Sequence, residues 1–146
     1  MGKYKVTDFD TGAFEIVYRI LDSEDPPFIV VIHGPRETGK TKLAKRIINT
    51  LYNEYNRVGE YGDEGDIKNI KLQAGKLKRS PDFVLTEGLP INMTASRKFI
   101  TQNYRKDPNM AVLIAKNLAD IDKIRLFGDY EINKNDYDMI IENQYI

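Results

Sequence analysis

The sequence predicts an α/β fold of three layers, a mostly parallel sheet flanked by helices, and three observations carry that expectation. Four short apolar runs, in "FIVVIHG", "DFVLTEG", "MAVLIAKN" and "YDMIIEN", recur along the chain and end in glycine or polar residues, as strands buried on both faces do. Segments of helical periodicity, or with room for a helix, lie between them, and strands alternating with helices build parallel sheets through crossover connections. The length, 146 residues, suits one compact unit with a single sizeable core. The chain is therefore expected to form one domain over 1–146.

The elements follow in order. Phe14, Val17, Tyr18 and Leu21 recur at helical spacing after Asp10, Thr11 and Gly12, and Pro26 and Pro27 stop the pattern. "FIVVIHG" is the first central strand. From Lys40 onward, Leu43, Ala44, Ile47, Ile48, Leu51, Tyr52 and Tyr55 form an apolar stripe of a second helix. "NRVGEYGDEGDI" is dense in Gly, Asp and Glu and leaves room for at most a short strand around 57–61. Ile67, Ile70, Ala74 and Leu77 suggest a helix over 66–79 with Asp66 as its cap, ended by Ser80 and Pro81. "TASRKFITQNYRKD" and "LADIDKIRLFG" have room for helices between the last three strands. No internal repeat or low-complexity segment interrupts this order.

Composition narrows the chemistry. Lys plus Arg and Asp plus Glu both number 22, so no global field draws the protein to a nucleic-acid backbone. Two basic sets, Lys68, Lys71, Lys76, Lys78, Arg79 and Arg97, Lys98, Arg105, Lys106, read first as solvated faces, although either could meet a phosphorylated partner. Without cysteine there are no disulfides or thiolate metal sites, and His33 is the one histidine. It ends the first central strand and reads as a packed residue. No signal-like or membrane-spanning apolar stretch of about 20 residues is present, so a cytoplasmic setting and no membrane partner are expected.

"HGPRETGKTKLAK" carries the most specific chemistry. Gly34, Gly39, Lys40 and Thr41 match the spacing G-x-x-x-x-G-K-[ST], in which glycines let successive backbone N–H groups point at phosphate oxygens. In that pattern the lysine reaches the β- and γ-phosphates and the hydroxyl ligates Mg²⁺. The cofactor-binding stretch is thus Gly34, Pro35, Arg36, Glu37, Thr38, Gly39, Lys40, Thr41 and Lys42. The following helix adds its positive dipole end to the same anion site. The four-residue pattern should arise by chance in about one chain in 200 of this length, and the flanking strand and helix make chance rarer still. ATP, or another nucleoside triphosphate, and Mg²⁺ are the cofactors this implies.

A metal held at such a loop needs an acid at the C-terminal end of a neighbouring strand, where chemistry in open parallel sheets collects. Glu87 in "DFVLTEG" sits there, whereas Asp82 precedes the same strand and belongs at its opposite edge. Glu87 and Thr41 are the metal candidates. Asp63, Glu64 and Asp66, after the second strand, are candidates for general base, with Asp63 preferred because Asp66 reads as a cap. Arg125 in "DKIRLFG" is the candidate for neutralising charge on a transferred phosphoryl group, against a reading as solvated helix face. Arg97, soonest after the Glu87 strand, is the candidate for contact with substrate.

On "FIVVIHGPRETGKTKLA" after an N-terminal helix, "DFVLTEG" and "YDMIIEN", which together span most of the chain, the sequence resembles the uridine kinase-like branch of P-loop nucleoside and nucleotide kinases. The resemblance implies a P-loop NTPase fold with a five-stranded parallel sheet, Mg-ATP as phosphate donor, and a nucleoside or similar small hydroxyl compound as acceptor. It implies also that Glu87 acts near Mg²⁺ and the acceptor. The expected activity is transfer of the γ-phosphate to a hydroxyl. The alternative is a nucleotide-binding module or slow ATPase that acts through a protein partner, which the lack of an arginine-rich segment between the last two strands favours. A nucleic-acid-dependent NTPase fragment finds little support in the balanced charge.

Overall fold

A computed structural model describes residues 4–35, 37–63, 81–88, 93–117 and 133–144. They form an α/β architecture with one six-stranded sheet: β1 (Lys5–Thr7), β2 (Phe28–His33), β3 (Gly59–Asp63), β4 (Phe83–Gly88), β5 (Met110–Ala115) and β6 (Met139–Glu142). The spatial order is β1-β6-β5-β2-β4-β3, and every pairing is parallel. Three helices, α1 (Phe9–Leu21), α2 (Lys40–Tyr55) and α3 (Met93–Tyr104), pack on the two faces. The expected helices at 66–79 and in "LADIDKIRLFG" lie outside the described residues.

Alternation along the strands divides the core. Val30, Ile32, Leu85, Val112, Ile114, Met139 and Ile141 turn toward Ala13, Ile16, Val17 and Ile20 of α1 and Leu43, Ala44, Ile47 and Leu51 of α2. Ile29, Val31, Val84, Leu113 and Ile140 turn the other way, toward Met93 and Ile100 of α3. Burying each large aliphatic side chain fully stabilises the fold by about 1.5–3 kcal/mol before chain entropy is counted. Central β2 and β5 bury both faces, which is why their sequences read as unbroken apolar runs.

The sheet has six strands where five were expected. β1 is the addition: it pairs with β6 from Lys5↔Met139 to Thr7↔Ile141. Its three residues leave Lys5 and Val6 exposed at the sheet edge, so no apolar alternation marks it in the sequence. β3 is the other edge, and runs to Asp63 rather than stopping near Tyr61.

α1 begins earlier than its apolar stripe suggested, because the Asp8 carboxylate accepts from Thr11 N–H (2.7 Å) and caps the first turn. Its buried face is Gly12, Ala13, Ile16, Val17 and Ile20. Phe14 and Tyr18 belong instead to the solvent side, 67% and 63% exposed and stacked on each other at 6.4 Å. In α2 the expected stripe is right for its first three turns, but Tyr52 and Tyr55 are exposed. At the lower edge of the sheet Lys106 donates to the Asp25 and Pro27 carbonyls, which ties the chain after α3 to the turn before β2.

Candidate functional site at the carboxyl edge of the sheet

The chain leaves β2 toward β3 on one side, by way of α2, and reaches β5 on the other side from β4, by way of α3. The carboxyl ends of β2 and β4 therefore lie where the connections diverge, the place at which open parallel sheets hold ligands. Residues 34–39 join β2 to α2 at that edge, with Arg36 outside the described residues.

The loop is packed tightly from below. A Cβ on Gly34 would stand 2.3 Å from the Ile114 carbonyl oxygen at the end of β5, so only glycine fits. Gly39 holds φ 102° and ψ 20°, a left-handed conformation that glycine adopts without steric cost, and Glu37 holds φ 62°. Buried Thr38 donates from Oγ1 to the Pro35 carbonyl (2.9 Å). Lys40 Nζ bends back over the loop, donating to the Gly34 carbonyl and to that of Pro35 at 3.1 Å. The Asn143 side-chain amide, 4% exposed at the end of β6, donates to the Thr38 carbonyl (3.1 Å).

The start of α2 has the electrostatics of an anion site. Gly39 supplies no capping side chain, the first turn has no acid, and Lys40 and Lys42 lie within it. The free N–H groups of a first helical turn carry about half a positive charge, which is ordinarily offset by a capping oxygen or an acid. Glu37, Gly39, Lys40, Thr41 and Lys42 line a cleft of about 220 Å³ at this end of the helix.

Thr41 links the loop to the neighbouring strand: its Oγ1 donates to Glu87 Oε1 at 2.8 Å. The other oxygen, Glu87 Oε2, is buried without a hydrogen-bond partner among the described residues. A buried, unpaired carboxylate oxygen is costly to leave so, and beside a hydroxyl oxygen it makes a donor pair of the hard kind that Mg²⁺ accepts. Mg²⁺ is commonly held by one or two carboxylates together with phosphate oxygens, so these two residues suit it. Asp63 stands opposite Glu87 in the β3–β4 register, as Ile32 of β2 does on the other side, so the ends of three strands adjoin.

The remaining candidates are placed differently. Arg97 is exposed on α3 and lines a separate cleft of about 230 Å³ with Met93, Ala111, Asp136, Tyr137 and Asp138. That cleft opens on the α3 face of the sheet, whereas Glu87 and Thr41 meet on the α2 face, so the fold does not bring Arg97 to them. Arg125 lies outside the described residues. His33 is buried, as its position suggested: one ring nitrogen is 2.9 Å from the Tyr137 hydroxyl and the other 3.3 Å from Ser96 Oγ. It secures the strand end to α3 and to the approach to β6.

Asn143 is the site residue that sequence reasoning passed over. The signal was present, since Asn143 closes the last apolar run as Glu87 closes the second. An amide carries no charge and belongs to no motif, however, so only the fold reveals its reach to the loop.

No protein-family model matches the chain, and no curated protein is significantly similar to it in sequence.

Proposed function

We propose that the protein is a Mg²⁺- and nucleoside-triphosphate-dependent phosphotransferase, a small-molecule kinase of P-loop type that moves the γ-phosphate of ATP to a hydroxyl on a nucleoside or similar acceptor. The observation that carries this reading is the Thr41–Glu87 pair, with one buried carboxylate oxygen left unpaired, set beside a glycine loop whose lysine leans over it. A strand-to-helix turn with no ligand needs neither the acid nor the lysine in that place.

In this reading the backbone N–H groups of the loop and the first turn of α2 grip the phosphates, and Lys40 swings from the loop carbonyls to the β- and γ-phosphates. Thr41 and Glu87 hold Mg²⁺, which when bound neutralises phosphate charge. Phosphoryl transfer asks a protein mainly for positioning and charge stabilisation, and a base near the acceptor hydroxyl removes its proton. Asp63, at the adjoining strand end, is the residue proposed for that step.

The test is ADP release from Mg-ATP across a panel of nucleosides, nucleotides and small hydroxyl metabolites, with Lys40→Ala as control. Acceptor-dependent turnover that the variant loses is the expected result. Lysine-dependent nucleotide binding with a flat panel would replace the kinase by a nucleotide-binding module acting through a protein partner. No nucleotide binding at all would remove both readings.

A further inference from the structure

We infer that Asn143 is a positioning residue for the phosphate loop, fixing the orientation of the Thr38–Gly39 peptide so that the Gly39 N–H faces the phosphates. The inference rests on the nucleotide-binding reading above and adds to it a residue from the far strand β6.

The geometry begins with the peptide plane. In a trans peptide the C=O and the following N–H point in opposite directions. The Thr38 carbonyl is turned to the Asn143 amide (3.1 Å), so the Gly39 N–H is turned away from β6. Gly39 is the cap position of α2 and lines the same cleft as Lys40, Thr41 and Lys42, so an N–H turned away from β6 would add to the unpaired donors of the first helical turn.

On the Gly39 side the alternative peptide orientation carries no steric cost. Turning the Thr38–Gly39 plane over by roughly 180° would carry Gly39 from φ 102° to about −80°, a value open to every residue and common at turn and helix ends. Glycine tolerates both states, so its own backbone preference does not select the observed one. The flipped state would aim the Thr38 carbonyl oxygen, a partial negative charge, where phosphate oxygens belong. A hydrogen bond from outside the loop separates the two states, and Asn143 supplies it.

Asn143 is well held for that role. Its backbone N–H donates to the Ala115 carbonyl at the end of β5 (2.7 Å), its side chain is 4% exposed, and Thr38 is 3% exposed. The same β5 end presses on Gly34 through the Ile114 carbonyl. The ends of β5 and β6 thus form the floor that shapes the loop, while β2, β4 and α2 carry the residues with chemistry.

The experiment compares wild type with Asn143→Leu, which keeps the side chain's bulk and adds no charge, and with Asn143→Ala in case leucine disturbs folding. Three quantities are read: Mg-ATP affinity, the thermal midpoint without nucleotide, and the ¹⁵N–¹H resonance of Gly39 as Mg-ADP is added. In wild type the Gly39 amide should shift downfield on nucleotide binding. In the variants that response should be lost and Mg-ATP affinity should fall about tenfold, as when one oriented hydrogen bond is forfeited, while the thermal midpoint falls by a few degrees because the Thr38 carbonyl loses its partner. Unchanged affinity and an unchanged Gly39 response in a folded variant would overturn the inference while leaving the nucleotide reading intact. Weaker binding with the Gly39 response preserved would overturn it too, because Asn143 would then act by another route. Failure of wild type itself to bind nucleotide would defeat the functional reading and this inference together.

Discussion

Glu60 sits on β3 only 2% exposed, with the Tyr104 hydroxyl of α3 donating to its Oε2 at 3.0 Å. Burial raises its pKa above the ordinary 4.5, and the tyrosine bond offsets part of that rise by favouring the carboxylate. The sign of the consequence is fixed by linkage: a carboxyl whose pKa is higher folded than unfolded favours the fold when protonated, and the contribution is lost as pH rises through the folded value. Glu60→Gln is therefore predicted to match wild type in stability well below pH 4.5 and to exceed it at neutral pH, as denaturant melts across that range would reveal. A flat difference would mean that the ionised acid is as well satisfied as the amide. At Gly34 the contact is steric. Gly34→Ala should lose about 1–3 kcal/mol in the same melts and impair nucleotide binding, because the Ile114 carbonyl has to move. The glycine's place in the motif was legible in the sequence, but its packing reason, a carbonyl from a strand 80 residues later, was not.

The N-termini of α1 and α2 form a natural contrast at the scale of elements. α1 has the Asp8 cap and Asp10 in its first turn, and Asp10 pairs with Arg46 of α2. α2 has a glycine cap and two lysines at its start. By its own dipole α2 should be the less stable beginning, and an acid placed there should stabilise the ligand-free protein. Lys42→Glu is predicted to add about 0.3–1 kcal/mol to stability at low salt while weakening Mg-ATP binding, as melts and titrations on one preparation would show. A variant that gained or lost both together would argue against a phosphate at this helix end. Asp8→Ala, by comparison, should lower stability by removing the Thr11 cap bond and leave nucleotide affinity unchanged. Periodicity found both helices, yet it put Phe14 and Tyr18 on the buried side of α1. Small Gly12 and Ala13 are what let that helix lie close to the sheet, and hydrophobicity alone ranks them below the aromatics. Of the edge strands, β1 carries no signal in the sequence because its three residues leave Lys5 and Val6 exposed, and β3 was expected only as a short strand around 57–61 because Gly59, Gly62 and Asp63 deny it an apolar run like those of β2 and β5.

At the scale of the whole molecule, the expected layers and the parallel sheet follow from alternation, but the order β1-β6-β5-β2-β4-β3 does not, because nothing local tells a strand which neighbour it will have. That order gives the site its reach. It sets Glu87 beside the strand that launches the loop and brings the end of β6 within hydrogen-bonding distance of Thr38, although the two residues are 105 positions apart. A phosphate ligand would consequently be gripped by one loop and supported by β2, β4, β5 and β6 together, and should stabilise the fold globally rather than one helix. Binding to the native state alone adds about 2.7 kcal/mol at a ligand concentration of 100 times Kd. For a chain near this size each kcal/mol moves the thermal midpoint by about 2–4 °C, so Mg-ATP at that level should raise it by about 5–11 °C. The rise should vanish in Lys40→Ala and shrink in Glu87→Gln when Mg²⁺ is present, but Glu87→Gln should behave as wild type toward ATP in excess EDTA. That last comparison separates a metal-holding acid from one that merely buttresses Thr41: a purely structural Glu87 would lower the midpoint by the same amount with and without the metal.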